Sequence, residues 1–356
     1  MRRRQLIAGG IAMSALSMTG QSMAQGTNSF YVPPEEAPHQ RTFMQWPVNR
    51  RVHTDPVFLD MVQRTIADIA NSIAAFEPVT MLAAASDHPR ARKLLSSDVT
   101  LWDVSTEDLW CRDAGPIFIT NDRGDLAVSH IQFNGWGRKQ VHRRDSQIAR
   151  LVAERLGLEL HPTGLVGEAG GVEQDGHGLL MAHESSWVND NRNPGLSRDQ
   201  IERRLLDAYG ADRMIWSDGV WGEDITDYHI DSLARFTGPG RVLINLPDRL
   251  DEDDPFHMAA ADTHDALEAA GLEIEVIPEP VRRRVKAGDF VASYANYYAC
   301  NGAIIAAQFG DRETDRIARD ALARHYPGRE VVMLNVDPLG EMGGGIHCAT
   351  QQMPAT

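Results

Sequence analysis

Residues 57–85 read VFLDMVQRTIADIANSIAAFEPVTMLAAA. The apolar side chains Leu59, Val62, Ile66, Ile69 and Ile73 recur at three- and four-residue intervals, the period of one helix face. The run then changes to VTMLAAA, which suits a buried strand. The same helix-then-strand order returns four more times: helical stretches at 145–157, 198–209, 258–271 and 312–326 precede LELHPTG, RMIWSDG, LEIEVIP and VVMLNV. Each strand leads into a stretch rich in Gly, Asp, His, Asn or Trp: DLWCRDAGP, GEAGGVEQDG, DITDYHID, ASYANYY and GGGIHC. After most of these a second apolar run resumes, as in PIFIT, GLLMAH and AIIAAQFG. Five units of about 50 to 85 residues predict an α/β repeat architecture, with five polar loops at equivalent places able to converge on one axis.

Composition bounds what such a chain can do. With 356 residues, 42% hydrophobic and 24% charged, it can bury a substantial core. A net charge of −15 argues against binding a phosphate backbone and favours small cations as ligands. The opening MRRRQLIAGGIAMSALSMTGQSMAQG has three arginines before an apolar run from Leu6 to Met18, and a small-x-small site at Ser22-Met23-Ala24. Residues 1–24 are therefore expected to be a signal peptide. Arg3-Arg4-Gln5-Leu6-Ile7 resembles the twin-arginine signal, and the general secretory route is the alternative. The run is too short to span a bilayer, so no membrane insertion is expected after processing. Removal of Arg2, Arg3 and Arg4 takes the net charge from −15 to −18, with a mature chain beginning near Gln25 in the periplasm or outside the cell. The expected catalytic domain is 30–356. Only Cys111, Cys300 and Cys348 occur, with no CxxC pair, which disfavours a disulfide framework or a zinc–thiolate site. The histidines, including that of GHGLL, lack metal-ligand spacing.

The series MQWP (44–47), WCRDAGP (110–116), FNGWG (133–137), TDYHID (226–231), SYANYY (293–298), FGD (309–311) and GGGIHCATQQ (343–352) resembles the agmatine deiminase and bacterial peptidylarginine deiminase family. The likeness runs from about His39 to Pro354. It implies a pentein fold, a five-bladed α/β propeller of strand-helix-strand units. It also implies a small cationic guanidino substrate, without metal or organic cofactor, and leaves the homo-oligomeric state open. A guanidinium is planar, rich in N–H donors and poorly electrophilic at carbon, so a hydrolase must hold it with carboxylates and attack it with a strong nucleophile. By resemblance Cys348 attacks, His229 transfers protons, and Asp113 and Asp231 form the clamp. In an extended segment His229 and Asp231 would share one face, Arg112 would point away from the site, and His347 beside Cys348 would face away and be structural.

The remaining candidates each carry a plainer alternative. Glu168 and Asp108 are expected to contact the guanidinium or the amine, against turn-capping or solvation. Asn296 donates to substrate or satisfies local backbone. Trp46, Trp110 and Trp136 wall the pocket by stacking on a cation, against a plain core role that suits Trp46 best. Gly344 and Gly345 let backbone approach the ligand, and the glycines at 343–345 can adopt strained dihedrals that aim the thiol. Departures from the family's usual pattern fall at Met342 and Gly345, at Ala169, and at Tyr228, where Gly usually precedes the histidine. Three readings follow: an exported agmatine deiminase, an exported peptidylarginine deiminase, and a periplasmic polyamine- or guanidine-binding protein without turnover.

Overall fold

A computed structural model describes residues 29–356, and the leader reading of residues 1–24 lies outside them. All five expected helices form, as Pro56–Ala74, Ile148–Leu156, Arg198–Tyr209, Pro255–Ala269 and Arg312–His325. Local chemistry sets their ends. Asp55, Asp254 and Asp311 cap three N-termini through their carboxylates, and Pro56 and Pro255 open two of those helices at the position where no N–H is needed. Ser197 and Gln200 make a reciprocal capping box. Gly157 and Gly210 end two helices in the left-handed conformation, at φ of 69° and 65°. The fourth helix begins before the expected 258 because the cap and proline, not the apolar period, mark its start.

The strands assemble into five sheets. In four of them a short first strand pairs antiparallel with a second, and the helix then crosses over to a parallel third. The unit is thus strand-strand-helix-strand, one antiparallel strand longer than the sequence reading. The fifth sheet joins the chain's two ends. Gln351–Pro354 pairs antiparallel with His39–Gln45, bringing Phe43 opposite Gln351, and Val79–Ala83 and Val99–Asp103 follow in parallel. First strands of neighbouring blades touch: Gln351–Pro354 lies against Ile117–Thr120, and Val172–Gln174 against Ala234–Gly238.

The core lies between the blades rather than inside any one of them. Ile148, Val152 and Ala153 pack on Phe43 and Leu82 of the preceding blade. Ile201 and Leu205 likewise meet Ile131 and Leu165, and Ala260 and Leu267 meet Leu179 and Met181. The ring closes where Ile66 and Ile69 of the first helix join Ile304 and Ala306 of the last blade. Val62, Ile66, Ile69 and Ile73 are wholly buried, each worth about 1.5–3 kcal/mol of transfer free energy. Because each helix covers its neighbour's sheet, the blades stabilise one another around a ring, and the five loops that enter the first strands are fixed relative to one another.

Candidate active site

Those five loops carry the polar motifs. Asp113 ends its loop just ahead of Ile117–Thr120, Glu168 ahead of Val172–Gln174, His229 and Asp231 ahead of Ala234–Gly238, Asn296 ahead of Tyr298–Cys300, and Cys348 ahead of Gln351–Pro354. Each blade therefore delivers its contribution from the same place in its topology. Among the described residues, the non-glycine residues with positive φ are Trp136, Arg138, Asp227 and Tyr228, all on two loops beside this site. Such dihedrals cost about 1–3 kcal/mol each and persist only where surroundings hold them. Asp227 is held by the Gly222 N–H at 2.9 Å, Arg192 at 2.6 Å and Lys139 at 2.8 Å. Tyr228 stacks on His183 with ring centres 4.7 Å apart, and its carbonyl faces His183 Nδ1 at 2.8 Å. These contacts aim His229, the next residue, inward.

At the centre, Cys348 Sγ lies 3.4 Å from Asp231 Oδ2 and accepts from Asn296 Nδ2 at 3.1 Å. Asn296 Oδ1 accepts from the His347 backbone N–H at 2.9 Å, so one amide fixes both the thiol and its turn. His229 Nε2 faces Glu168 Oε2 at 3.3 Å, and its Nδ1 lies 3.8 Å from Asp113 Oδ1. Trp136 Nε1 donates to Asp113 Oδ2 at 2.9 Å, and the Gly170 N–H to Oδ1 at 3.2 Å. Arg192 Nε donates to Glu168 at 2.8 Å.

Burial pushes the Cys348 thiol well above its ordinary range, and Asp231 and Asp113 push it further. Burial also raises Asp113 to about 6, with Asp231 and Glu168 adding to the effect against His229. For His229, burial opposes the charge, yet Asp113, Glu168 and Asp231 outweigh it and raise the ring to about 9. Burial likewise opposes ionisation of Asp231 and Glu168, but His347 and Arg192 respectively hold each below its usual value. The site is rich in negative charge and disfavours the thiolate of Cys348, so a bound cation would relieve both conditions.

Gly170 marks the point of convergence. A Cβ built there would lie 2.8 Å from Asp113 Oδ1, 2.8 Å from His229 Nδ1 and 3.1 Å from Asp231 Oδ2. We expect Gly170→Ala to lower kcat/KM at least about 100-fold while the melting temperature moves by only a few degrees, since displacements near 1 Å at a reacting centre cost that much. Steady-state kinetics with a thermal melt check this, and a loss below threefold would refute it.

Several sequence expectations need correction. His229 and Asp231 do not share a strand face; His229 caps, and Asp231 lies within, a 3₁₀ turn, Ile230–Ser232. Cys348 sits in a turn rather than at the end of a strand, and Asp113 lies on a single helical turn, Cys111–Ala114. His347 does not face away: its Nδ1 meets Asp231 Oδ2 at 2.7 Å. Asp108 is not brought to the clamp, because His53 Nε2 faces its Oδ1 at 3.1 Å and Gln140 donates to Oδ2 at 2.7 Å. Gly344 and Gly345 clear room for protein, not ligand: a Cβ at 344 would meet Trp110 at 2.6 Å, and one at 345 would meet Asn296 at 2.5 Å. Of the three glycines only Gly343 has positive φ, at 88°.

Glu168 supports His229 and Arg192, and Arg112 points away from the site towards Glu35 at 3.0 Å. Trp46 is wholly buried in the core, and Trp110 and Trp136 are buried beside the site loops. All three cysteines are free; burial raises both Cys111 and Cys300, the latter to about 12. Sequence reasoning missed Gly170, Arg192 and the contacts of His347. The first signal was present as a glycine two residues beyond Glu168, but Arg192 stands in a polar loop with no motif to mark it.

A profile of the Porphyromonas-type peptidyl-arginine deiminase family matches residues 31–354. An agmatine deiminase of Stutzerimonas stutzeri is 35% identical over 95% of this chain and 99% of its own length. One from Pseudomonas aeruginosa is 34% identical, again over 95% and 99%. Among solved structures, the agmatine deiminase of Enterococcus faecalis superposes with a TM-score of 0.83 at 27% identity, covering 92% of this chain and 96% of that one.

Proposed function

The chain belongs to the Porphyromonas-type peptidyl-arginine deiminase family, and on that premise we propose that it hydrolyses agmatine to N-carbamoylputrescine and ammonia through a covalent adduct on Cys348. The observation that carries this reading is the convergence of one thiol, the His229 imidazole and three carboxylates, all buried, from the loops of four blades, with the Asn296 amide supplied by the fifth. A guanidinium bound between Asp113 and Asp231 supplies the positive charge that favours loss of the Cys348 proton to water as the substrate enters. The thiolate adds to the central carbon. His229, a cation at neutral pH, gives its proton to the departing nitrogen, and ammonia leaves as the C–N bond breaks. The neutral imidazole then takes a proton from water, whose oxygen attacks the amidino-carbon. Collapse breaks the C–S bond, releases the ureido product and restores the thiol.

A small substrate is favoured over a peptide because the reacting groups are almost sealed: Cys348 is 7% exposed and His229 3%. An α-carboxylate would need an unpaired cation, yet Arg112, Arg192 and Arg235 are each bound to carboxylates, Lys139 is held on Asp227, and Arg138 on the same loop is exposed rather than among the buried reacting groups. Agmatine should therefore be turned over with kcat/KM at least about tenfold above free arginine, roughly 1.4 kcal/mol of discrimination. An ammonia-release assay with agmatine, arginine and a blocked arginine peptide tests this. Preference for the peptide would install the peptidylarginine reading, and no release from any of them the binding-protein reading. Export is part of the same proposal, supported by the arginine-led opening; a mature chain beginning near Gln25 in a periplasmic fraction is the expected result.

A further inference from the structure

Behind the clamp, on the side away from His229, lies a second set of buried charges that the reaction above does not use. His347 is its hinge. Its Nδ1 meets Asp231 Oδ2 at 2.7 Å, and its Nε2 meets Glu35 Oε2 at 2.9 Å and lies 3.8 Å from Glu173 Oε1. Glu35 also accepts from Arg112 at 3.0 Å, pairs with Arg235 at 3.0 Å, and accepts the Ala299 N–H at 2.9 Å. Arg235 pairs with Glu173 at 2.8 Å and lies over the Tyr297 ring. Asp231, His347 and Arg235 are at most 2% exposed, and Glu35, Glu173 and Arg112 at most 8%.

The imidazole sits on the acidic side of this group: Asp231, Glu35 and Glu173 surround it, and the two guanidiniums, Arg112 and Arg235, pair with Glu35 and Glu173 from beyond. Both nitrogens do face carboxylate oxygens, and an uncompensated charge at this depth is costly. Oδ2 of Asp231 is the oxygen that receives His347, and it is also the one 3.4 Å from the Cys348 sulfur. Among the described residues Oδ1 has the distant Ser232 hydroxyl at 3.4 Å as its one side-chain partner and is left for a ligand. Without a cation on Oδ2, Asp231 would be free to rotate and would set its full negative charge against the thiolate.

We propose that His347, held as a cation on Glu35, is a positioning residue for the deimination: it fixes Asp231 through Oδ2, presents Oδ1 to the guanidinium, and offsets the carboxylate's charge at the Cys348 sulfur. The proposal rests on Cys348 being the reacting thiol, but not on the identity of the substrate. Two neutral variants separate bond from charge, because an Asn amide can stand where Nδ1 stands and a Gln amide where Nε2 stands. His347→Asn keeps the donor to Asp231 and loses the charge; His347→Gln keeps the donor to Glu35 and loses both at Asp231.

The first readout is the pH dependence of Cys348 alkylation by iodoacetamide in the full chain, followed by peptide mass spectrometry, with Cys111 and Cys300 as buried controls. In both variants the midpoint should rise by about one pH unit, since the charge shielding the thiolate from Asp231 is gone. The second readout is kinetic, and here kcat should fall at least tenfold more in the Gln variant than in the Asn variant. An unmoved alkylation midpoint in either folded variant would overturn the proposal. So would failure of both to fold, which would make His347 a determinant of the fold alone. A wild-type protein inert to agmatine but showing the alkylation shift would sink the substrate reading and leave this one standing.

Discussion

Cys348→Ser is expected to abolish turnover, lowering kcat by at least about 10⁴-fold while the protein stays folded and still binds agmatine. A guanidinium carbon is a poor electrophile, and the step that attacks it needs a nucleophile that is both strong and anionic at working pH. Burial and its carboxylates hold the Cys348 thiol above the ordinary range, which a bound cation opposes, whereas a serine hydroxyl starts several units less acidic still and stays protonated. The carboxylate beside residue 348 is too weak a base for a hydroxyl: among the described residues the neighbours of Sγ are Asp231, which receives His347, and the Asn296 amide. His229 is already protonated, its ring raised to about 9 despite burial by Asp113, Glu168 and Asp231. A serine there would therefore have nothing to take its proton. Folding should survive, because oxygen for sulfur is a small change in a turn anchored by Asn296 through backbone N–H groups. Residual kcat above about a tenth of wild type would remove Cys348 as nucleophile; isothermal titration with agmatine separates lost binding from lost chemistry.

The fold was legible because its repeat is written in periodicity. Helix faces such as Leu59, Val62, Ile66 and Ile69 are spaced for one side, and the strands after them carry runs of apolar residues. What periodicity did not reveal were four of the five short first strands, Ile117–Thr120 being the one marked by an apolar run. Val172–Gln174 and Tyr298–Cys300 are three residues each, too short to show an alternation, and Gln351–Pro354 and Ala234–Gly238 carry polar side chains because they border a charged axis. The four groups first picked for catalysis come together, since their motifs fix residue type and place. Their directions were misjudged. His347 was expected to point away because its segment was read as extended, but in a turn, successive side chains need not alternate, and His347 and Cys348 meet the same carboxylate oxygen. Asp108 shows the opposite error, a carboxylate within reach in sequence whose oxygens are taken up by His53 and Gln140.

His229→Gln should lower kcat by about 10²–10⁴-fold, the usual worth of a positioned proton-transfer group, and should also change the shape of the pH profile. In the wild type, kcat/KM is expected to rise through about 6, as buried Asp113 ionises and becomes able to pair with the guanidinium. It should fall above about 9, where His229 loses the proton it must give to the departing nitrogen. The sign follows from the direction of each shift: the acid raised by burial sets the lower limb, and the base raised by its carboxylates sets the upper one. Glutamine removes only the second of these. Its amide can still donate to Glu168, which Arg192 holds in place at 2.8 Å, so the pocket should keep its shape and KM should change little. It cannot release a proton, so the fall above pH 9 should vanish from the residual activity while the rise near 6 remains. A variant that keeps the alkaline limb would show that another group donates to the leaving nitrogen. The half-buried Tyr228 beside it is no substitute, because desolvation pushes its hydroxyl far up, and Glu279, Asp224 and Asp254 push it further.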